Sequence, residues 1–148
     1  MRLSARTDYG LRAIVDLALL YEAGRPVQVK DIARRQGIPE DFLGQLMVAL
    51  RKAGLVESVR GPSGGYVLAR PPAEITLAEA IETLEGPLGQ TECATQETRS
   101  HCFAANFCAI QEAWKKATQA AIDVLSSITI EDICRRQREL SRALTYQI

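Results

Sequence analysis

Residues 29–70 read VKDIARRQGIPEDFLGQLMVALRKAGLVESVRGPSGGYVLAR, and their punctuation leaves the backbone few ways to run. Gly37 ends a short helical pattern, VKDIARRQG. Pro39 opens a second one at a first-turn position, with Glu40 and Asp41 beside the positive end of its dipole. Phe42, Leu43, Leu46, Met47 and Leu50 recur at helical spacing as a buried stripe, and Gly54 can supply a left-handed cap. Two short helices joined by a tight glycine-containing turn make a helix-turn-helix. Apolar and β-branched runs then flank Gly61-Pro62-Ser63-Gly64-Gly65, which predicts a β-hairpin with a five-residue tip, ended by Pro71-Pro72. A helix-turn-helix followed at once by a glycine-tipped hairpin predicts a winged helix-turn-helix.

The flanks are helical. Residues 4–23 carry a cap at Ser4, apolar positions at Tyr9, Ala13, Leu17 and Leu20, and a stop at Gly24 with Pro26 behind it. TLAEAIETLEG opens on a capping box, Thr76 with Glu79, and Gly86-Pro87 breaks it. Residues 88–107 have no periodicity. A long helix follows from about Cys108 to Ser127, and Thr129 with Asp132 caps a last one through about Ala143. In the long helix Ile110, Trp114, Ala117, Ala121, Val124 and Ile128 form an a/d seam. Such a seam is narrower than the face a single-domain core needs, and its central alanines let two backbones approach closely. It predicts a homodimer. The expected fold is mainly α with a small β-hairpin wing: a winged helix-turn-helix domain over 1–87, a cysteine-rich loop over 88–108, and a dimerisation helix plus C-terminal helix over 109–148.

Net charge points to the partner. Eighteen Lys and Arg balance eighteen Asp and Glu, yet residues 1–70 hold 11 basic against 7 acidic side chains and residues 71–148 hold 7 against 11. A basic half suits a polyanion. On the second helix of the motif, the face opposite Phe42, Leu46 and Leu50 offers Asp41, Gly44, Gln45, Val48 and Lys52, with Arg51 at its margin. Gln45 can pair with adenine in the major groove of double-stranded DNA, and Asp41 can accept from cytosine or serve the helix dipole. Arg60 stands at the root of the hairpin tip, where Gly61, Ser63 and Gly64 offer backbone N–H groups to phosphate. The features of a nucleotide-binding loop are missing, because GPSGG lacks the Gly-Lys-Ser/Thr ending and leads into a strand; the other reading of the tip is a bare tight turn. Asp8, Arg12 and Asp16 interrupt any signal-peptide core, and no apolar run is long enough to span a membrane. A cytoplasmic chain keeps its thiols reduced, so clustered cysteines there hold metal or do redox work.

Three of the four cysteines fall in TECATQETRSHCFAANFC: Cys93, Cys102 and Cys108. Three thiols are odd for disulfides and one short of most metal sets. Zinc as Cys₃His would need His101, which abuts Cys102, whereas structural zinc sites prefer paired Cys-x₂₋₄-Cys spacing. Cys134 lies beside Ile130 and Ile133 on an apolar stripe and reads as a structural thiol. Glu92, Glu97 and Glu112 are nearby carboxylates. A cysteine-dependent enzyme would need a base, and the lone histidine is poorly placed to be one.

MRLSARTDYGLRA, the segment from IARRQG to VLAR, SSITIEDI and the three-cysteine loop together resemble the IscR/NsrR family of bacterial winged-helix transcription regulators. The resemblance runs along nearly the whole chain. It implies a homodimer built on the long helix, DNA binding through helix and wing, and an iron–sulfur cluster on Cys93, Cys102 and Cys108. It places the wing arginine at Arg60 and groove-reading positions at Asp41, Gly44 and Gln45. Three positions depart from IscR: the first cysteine gap is longer, Gln111 stands where a ligand histidine is found, and Gly44 replaces a recognition-helix glutamate. In NsrR-type nitric-oxide sensors an aspartate matching Asp8 ligates a 4Fe–4S cluster across the dimer. Asp8 is accordingly the candidate fourth ligand, its other reading being a first-turn acid that complements the dipole. The expected function is a repressor controlled by a 4Fe–4S cluster, with 2Fe–2S as the other nuclearity, that senses nitric oxide, redox or iron status. The alternative is a cluster-free thiol/disulfide switch.

Overall fold

The computed structural model describes residues 3–88 and 108–145. Helix α1 spans Ala5–Leu19, capped by the Ser4 side chain, which accepts the Thr7 N–H at 3.2 Å. The sequence pattern ran on to residue 23, but α1 stops at Leu19 and the chain tightens into a 3₁₀ turn over Tyr21–Ala23 before Gly24. Helices α2 (Val29–Gln36) and α3 (Glu40–Lys52) form the helix-turn-helix. Both end the same way. Ile38 N–H returns to Ala33 O at 3.0 Å, and Leu55 N–H to Leu50 O at 3.0 Å, each around a left-handed glycine, Gly37 or Gly54. This closure buries Ile38 and Leu55 and so fixes where the turn and the wing begin.

Strands β1 (Val56–Val59) and β2 (Gly65–Leu68) pair antiparallel with Val56 opposite Leu68 and Val59 opposite Gly65. The loop therefore runs Arg60–Gly64, shifted by one residue from the expected tip, because Gly65 is taken into the ladder. A further bridge was not legible in the sequence. Val27 N–H donates to Tyr66 O at 2.9 Å and Tyr66 N–H to Val27 O at 2.8 Å, which places the segment after Pro26 on the open edge of β2. A Cβ on Gly65 would sit 2.4 Å from Val27 O, so this close approach needs glycine.

Helix α4 (Leu77–Glu85) starts at Thr76, whose hydroxyl accepts the Glu79 N–H at 3.1 Å. Only that half of the expected capping box forms, since the Glu79 carboxylate turns to Arg70. Helix α5 covers Ala109–Ser127 and α6 Ile130–Thr145. The α6 cap is reciprocal: Thr129 Oγ1 accepts Asp132 N–H at 3.1 Å, and Asp132 Oδ2 accepts Thr129 N–H at 3.0 Å. One core joins α1, α2, α3, the hairpin, α4 and the start of α6 through Ile14, Ile32, Leu46, Val56, Ile75 and Ile130. Between α1 and α2, the buried Asp16 carboxylate receives Arg35 Nε at 3.0 Å and Gln36 Nε2 at 2.9 Å. That hydrogen bond, with the Asp16 charge, raises the already high pKa of Arg35. Among the described residues, no helix is long and apolar enough to cross a membrane.

Candidate nucleic-acid interface and cysteine-loop junction

Helix α3 divides cleanly. Leu43, Leu46, Met47 and Leu50 are fully buried, while Asp41, Gln45, Val48 and Lys52 are exposed at spacings of four, three and four, which makes one stripe along the outer face. Gly44 borders that stripe. Arg51, at its margin, donates from Nη1 to Ser58 Oγ on β1 at 3.3 Å, which ties the end of α3 to the wing. Phe42 meets Tyr9 of α1 edge-on, with ring centroids 5.9 Å apart, so the angle of α3 is set by α1.

At the wing, Arg60, Gly61 and Ser63 are exposed. Gly64 is buried, and its N–H already donates to Gly61 O at 3.0 Å, which closes the loop. The bridge at Val27 brings Arg25 alongside. Arg25, Lys30 and Arg34 then line a cleft of about 840 Å³ with Asp31, Ser63 and Gly64. Arg34 is 3.7 Å from Asp31. Nothing local in the sequence sets Arg25, Lys30 or Arg34 apart from an ordinary solvated basic residue. A single β-bridge leaves no periodicity for a sequence to display.

Cys93 and Cys102 lie outside the described residues, as do His101, Glu92 and Glu97. Cys108 is a free, half-buried thiol in the N-cap position of α5 and makes no capping hydrogen bond there. Asp8 projects from the first turn of α1, 54% exposed, and 3.5 Å from Arg12 Nη1. It stands at the edge of a groove between α1 and α6 lined by Leu11, Val15, Ile130 and Ile133. Arg12 in turn reaches the Gln36 main-chain carbonyl and lies 5.8 Å from the Tyr9 ring centroid. Cys134 is buried with Sγ 3.9 Å from Val15 O, and burial raises its pKa. Among the described residues no three metal-binding side chains converge. A thiol at a helix start and an exposed carboxylate are suitable donors for iron.

The α5 seam is bare at Ile110, Trp114, Ala117 and Val124, whereas Ile128, expected as its last position, is a half-buried, extended residue past the helix end whose carbonyl accepts the Leu77 N–H at 2.8 Å. Ile110 is 80% exposed, Trp114 and Val124 are each 59% exposed, and no residue of the helix is buried. A neighbouring face carrying Gln111, Thr118, Ile122 and Leu125 is half-buried, and Ala121 lies where the two faces meet.

The family description "Iron-dependent Transcriptional regulator", Rrf2, matches residues 3–136. The chain belongs to the Rrf2 family. It is 38% identical over 143 residues to the HTH-type transcriptional regulator IscR of Photorhabdus laumondii, covering 97% of this chain and 85% of that one. T. potens IscR superposes with a TM-score of 0.78 at 38% identity, over 95% of this chain and 90% of that one. CymR, the global cysteine regulator of B. subtilis, superposes at 0.78 with 34% identity, over 92% and 98%. This Rrf2 chain is thus a transcription regulator with a winged-helix fold and not an enzyme.

Proposed function

We propose that this Rrf2 regulator is a homodimeric repressor whose grip on operator DNA is set by an iron–sulfur cluster. Cys93, Cys102 and Cys108 supply the thiolates and Asp8 of the partner subunit supplies the fourth ligand, with a 4Fe–4S cluster favoured over 2Fe–2S. The observation that supports this is the junction at Cys108. The last residue of the cysteine loop is also the residue that starts the helix carrying the bare seam. A change at that thiol is made at the root of the pairing surface.

When bound, the cluster supplies a redox-active iron centre. The chain's own residues supply the coupling. Asp8 is hard and oxygen-donating among soft thiolates, so it is the ligand most readily displaced. Arg12, beside Asp8, holds the end of α2 at Gln36, and Tyr9 holds α3 through Phe42. A shift in the first turn of α1 therefore bears directly on both helices of the DNA-binding motif. The repressor contacts double-stranded DNA through Asp41, Gln45 and Arg51 of α3 and through Arg60, Gly61 and Ser63 of the wing, whereas the buried Gly64, its N–H taken by Gly61 O, shapes the loop rather than meeting phosphate. Nitric oxide, redox poise or iron supply is the signal class.

Purification without oxygen should give a coloured dimer containing iron and acid-labile sulfide. Asp8→Ala should leave the fold intact while it changes the visible spectrum or shortens the cluster's lifetime in air. A colourless protein that takes up no iron on anaerobic reconstitution sinks the cluster reading. The likeness to CymR supports a second reading, a thiol/disulfide switch. It would be recognised by DNA binding that follows a disulfide while iron stays absent.

A further inference from the structure

Two residues on the outer face of α3 are poor choices for a helix and are not explained by the fold. Gly44 sits in mid-helix, where glycine weakens the backbone. Its φ is not positive, and a Cβ at this position would meet nothing within 4 Å. Neither backbone conformation nor packing asks for glycine there. One turn on, Val48 is β-branched, 38% exposed, and flanked on its stripe by Gln45 and Lys52. Helical side chains lean toward the N-terminus, over the preceding turn. Val48 therefore leans toward position 44, where no side chain stands. The result is an apolar notch in an otherwise polar outer face, walled by Val48 and Gln45 and floored by the backbone at Gly44. Departures from local propensity that no packing repays mark a functional surface.

The major-groove edge of DNA presents one apolar group on natural unmodified bases, the 5-methyl of thymine. We infer that the Gly44–Val48 notch receives a thymine methyl group, with Val48 a specificity-determining contact and Gly44 the gap that admits it. Gln45, on the same stripe, is then free to pair with an adenine edge beside it. Residues 45 and 48 are separated by a rise of about 4.5 Å along the helix, between one and two base-pair steps of about 3.4 Å, which lets them address neighbouring base pairs. The inference rests on the proposed DNA-binding role of α3. It adds the base chemistry that the face selects.

The test uses duplexes enriched by the purified full-length protein from a random library, with each thymine of the enriched half-site replaced singly by deoxyuridine, which lacks only the methyl. At one thymine per half-site the replacement should weaken binding about three- to fivefold, the value of one buried methyl. Val48→Ala should weaken binding to the thymine duplex by a similar factor and should no longer distinguish uracil from thymine at that position. Gly44→Ala should raise the melting temperature yet weaken binding to the same duplex. A structural role for Gly44 would lower both. If no thymine responds to loss of its methyl, or if Val48→Ala stays as sensitive as the parent, the inference is wrong. If no duplex is enriched at all, the DNA-binding reading beneath it falls as well.

Discussion

Arg60 stands on the exposed root of the wing loop, and its guanidinium pairs with no group among the described residues. A cation there has no fold to support, so its removal should leave stability unchanged. Arg60→Ala should weaken operator binding and reduce the magnitude of the slope of log K against log salt by about one, the signature of one lost phosphate contact. A fluorescence-anisotropy titration at several salt concentrations reads both; unchanged affinity and slope would remove Arg60 from the interface. Glu85 behaves differently. An acid in the last turn of α4 opposes the helix dipole, yet hydrogen bonds from Ser4, then Thr7, hold its carboxyl below the ordinary value of 4.5. The Ser4 N–H lies 3.0 Å and the Thr7 hydroxyl 2.5 Å from Oε1. A folded-state value below the unfolded one means the contribution is present above the ordinary value and is lost as pH falls through the folded value. Glu85→Gln should therefore flatten the acid side of the stability curve, where pH falls below the ordinary glutamate value of 4.5. Urea midpoints measured across that window for the two proteins check it, and parallel curves would show that the carboxylate contributes nothing.

At the scale of elements, the fold was legible wherever the chain is punctuated. Gly37, Pro39 and Gly54 announce the two motif helices, and α3 begins and ends where they direct. Thr129 with Asp132 likewise announces α6. What escaped was set by distant partners. Val27 joins β2 through a single bridge, too short for any alternation. Gly65 reads as turn but belongs to the ladder, because its missing side chain is needed for Val27 rather than for the bend. The site divides in the same way. The outer stripe of α3 follows from helical spacing alone, whereas Arg25 reaches the wing cleft only through the unforeseen bridge. The proposed pairing of Asp8 with the cysteines would join distant elements, and no local pattern encodes that. The bridge also yields a prediction for the wing as a unit. Gly65→Ala forces a methyl against Val27 O and should cost about 1–3 kcal/mol, as overpacking does. It should also displace the wing and so weaken DNA binding. Chemical denaturation alongside DNA titration reads both effects, and a Gly65→Ala protein as stable and as tightly DNA-bound as the parent would mean the bridge does not hold the wing.

For the whole molecule the decisive quantity is what α5 lacks. It has 19 residues and none is buried. Helices of this length owe most of their stability in proteins to an apolar face packed on something, and the half-buried strip around Thr118 and Ile122 is a meagre share for so long an element. The seam from Ile110 to Val124 runs about 21 Å along the axis, with Trp114 near one end and Ala117 and Ala121 further along it. Pairing two such seams places a tryptophan in an otherwise aliphatic contact, where a single aromatic anchor commonly carries 2 kcal/mol or more of the association energy (about a thirtyfold change in affinity). Trp114→Glu sets a charge in that position with no cation arranged to meet it. The variant should run as a monomer in light scattering at concentrations where the parent is dimeric. Because Trp114 is 59% exposed and outside the core, the variant should still unfold cooperatively. Its DNA affinity should fall further than that of Arg60→Ala, since a monomer loses a whole half-site while Arg60→Ala loses one phosphate contact per subunit. A Trp114→Glu protein that remains dimeric, or that binds a two-half-site duplex as the parent does, would show that the subunits meet elsewhere and that the seam serves another purpose.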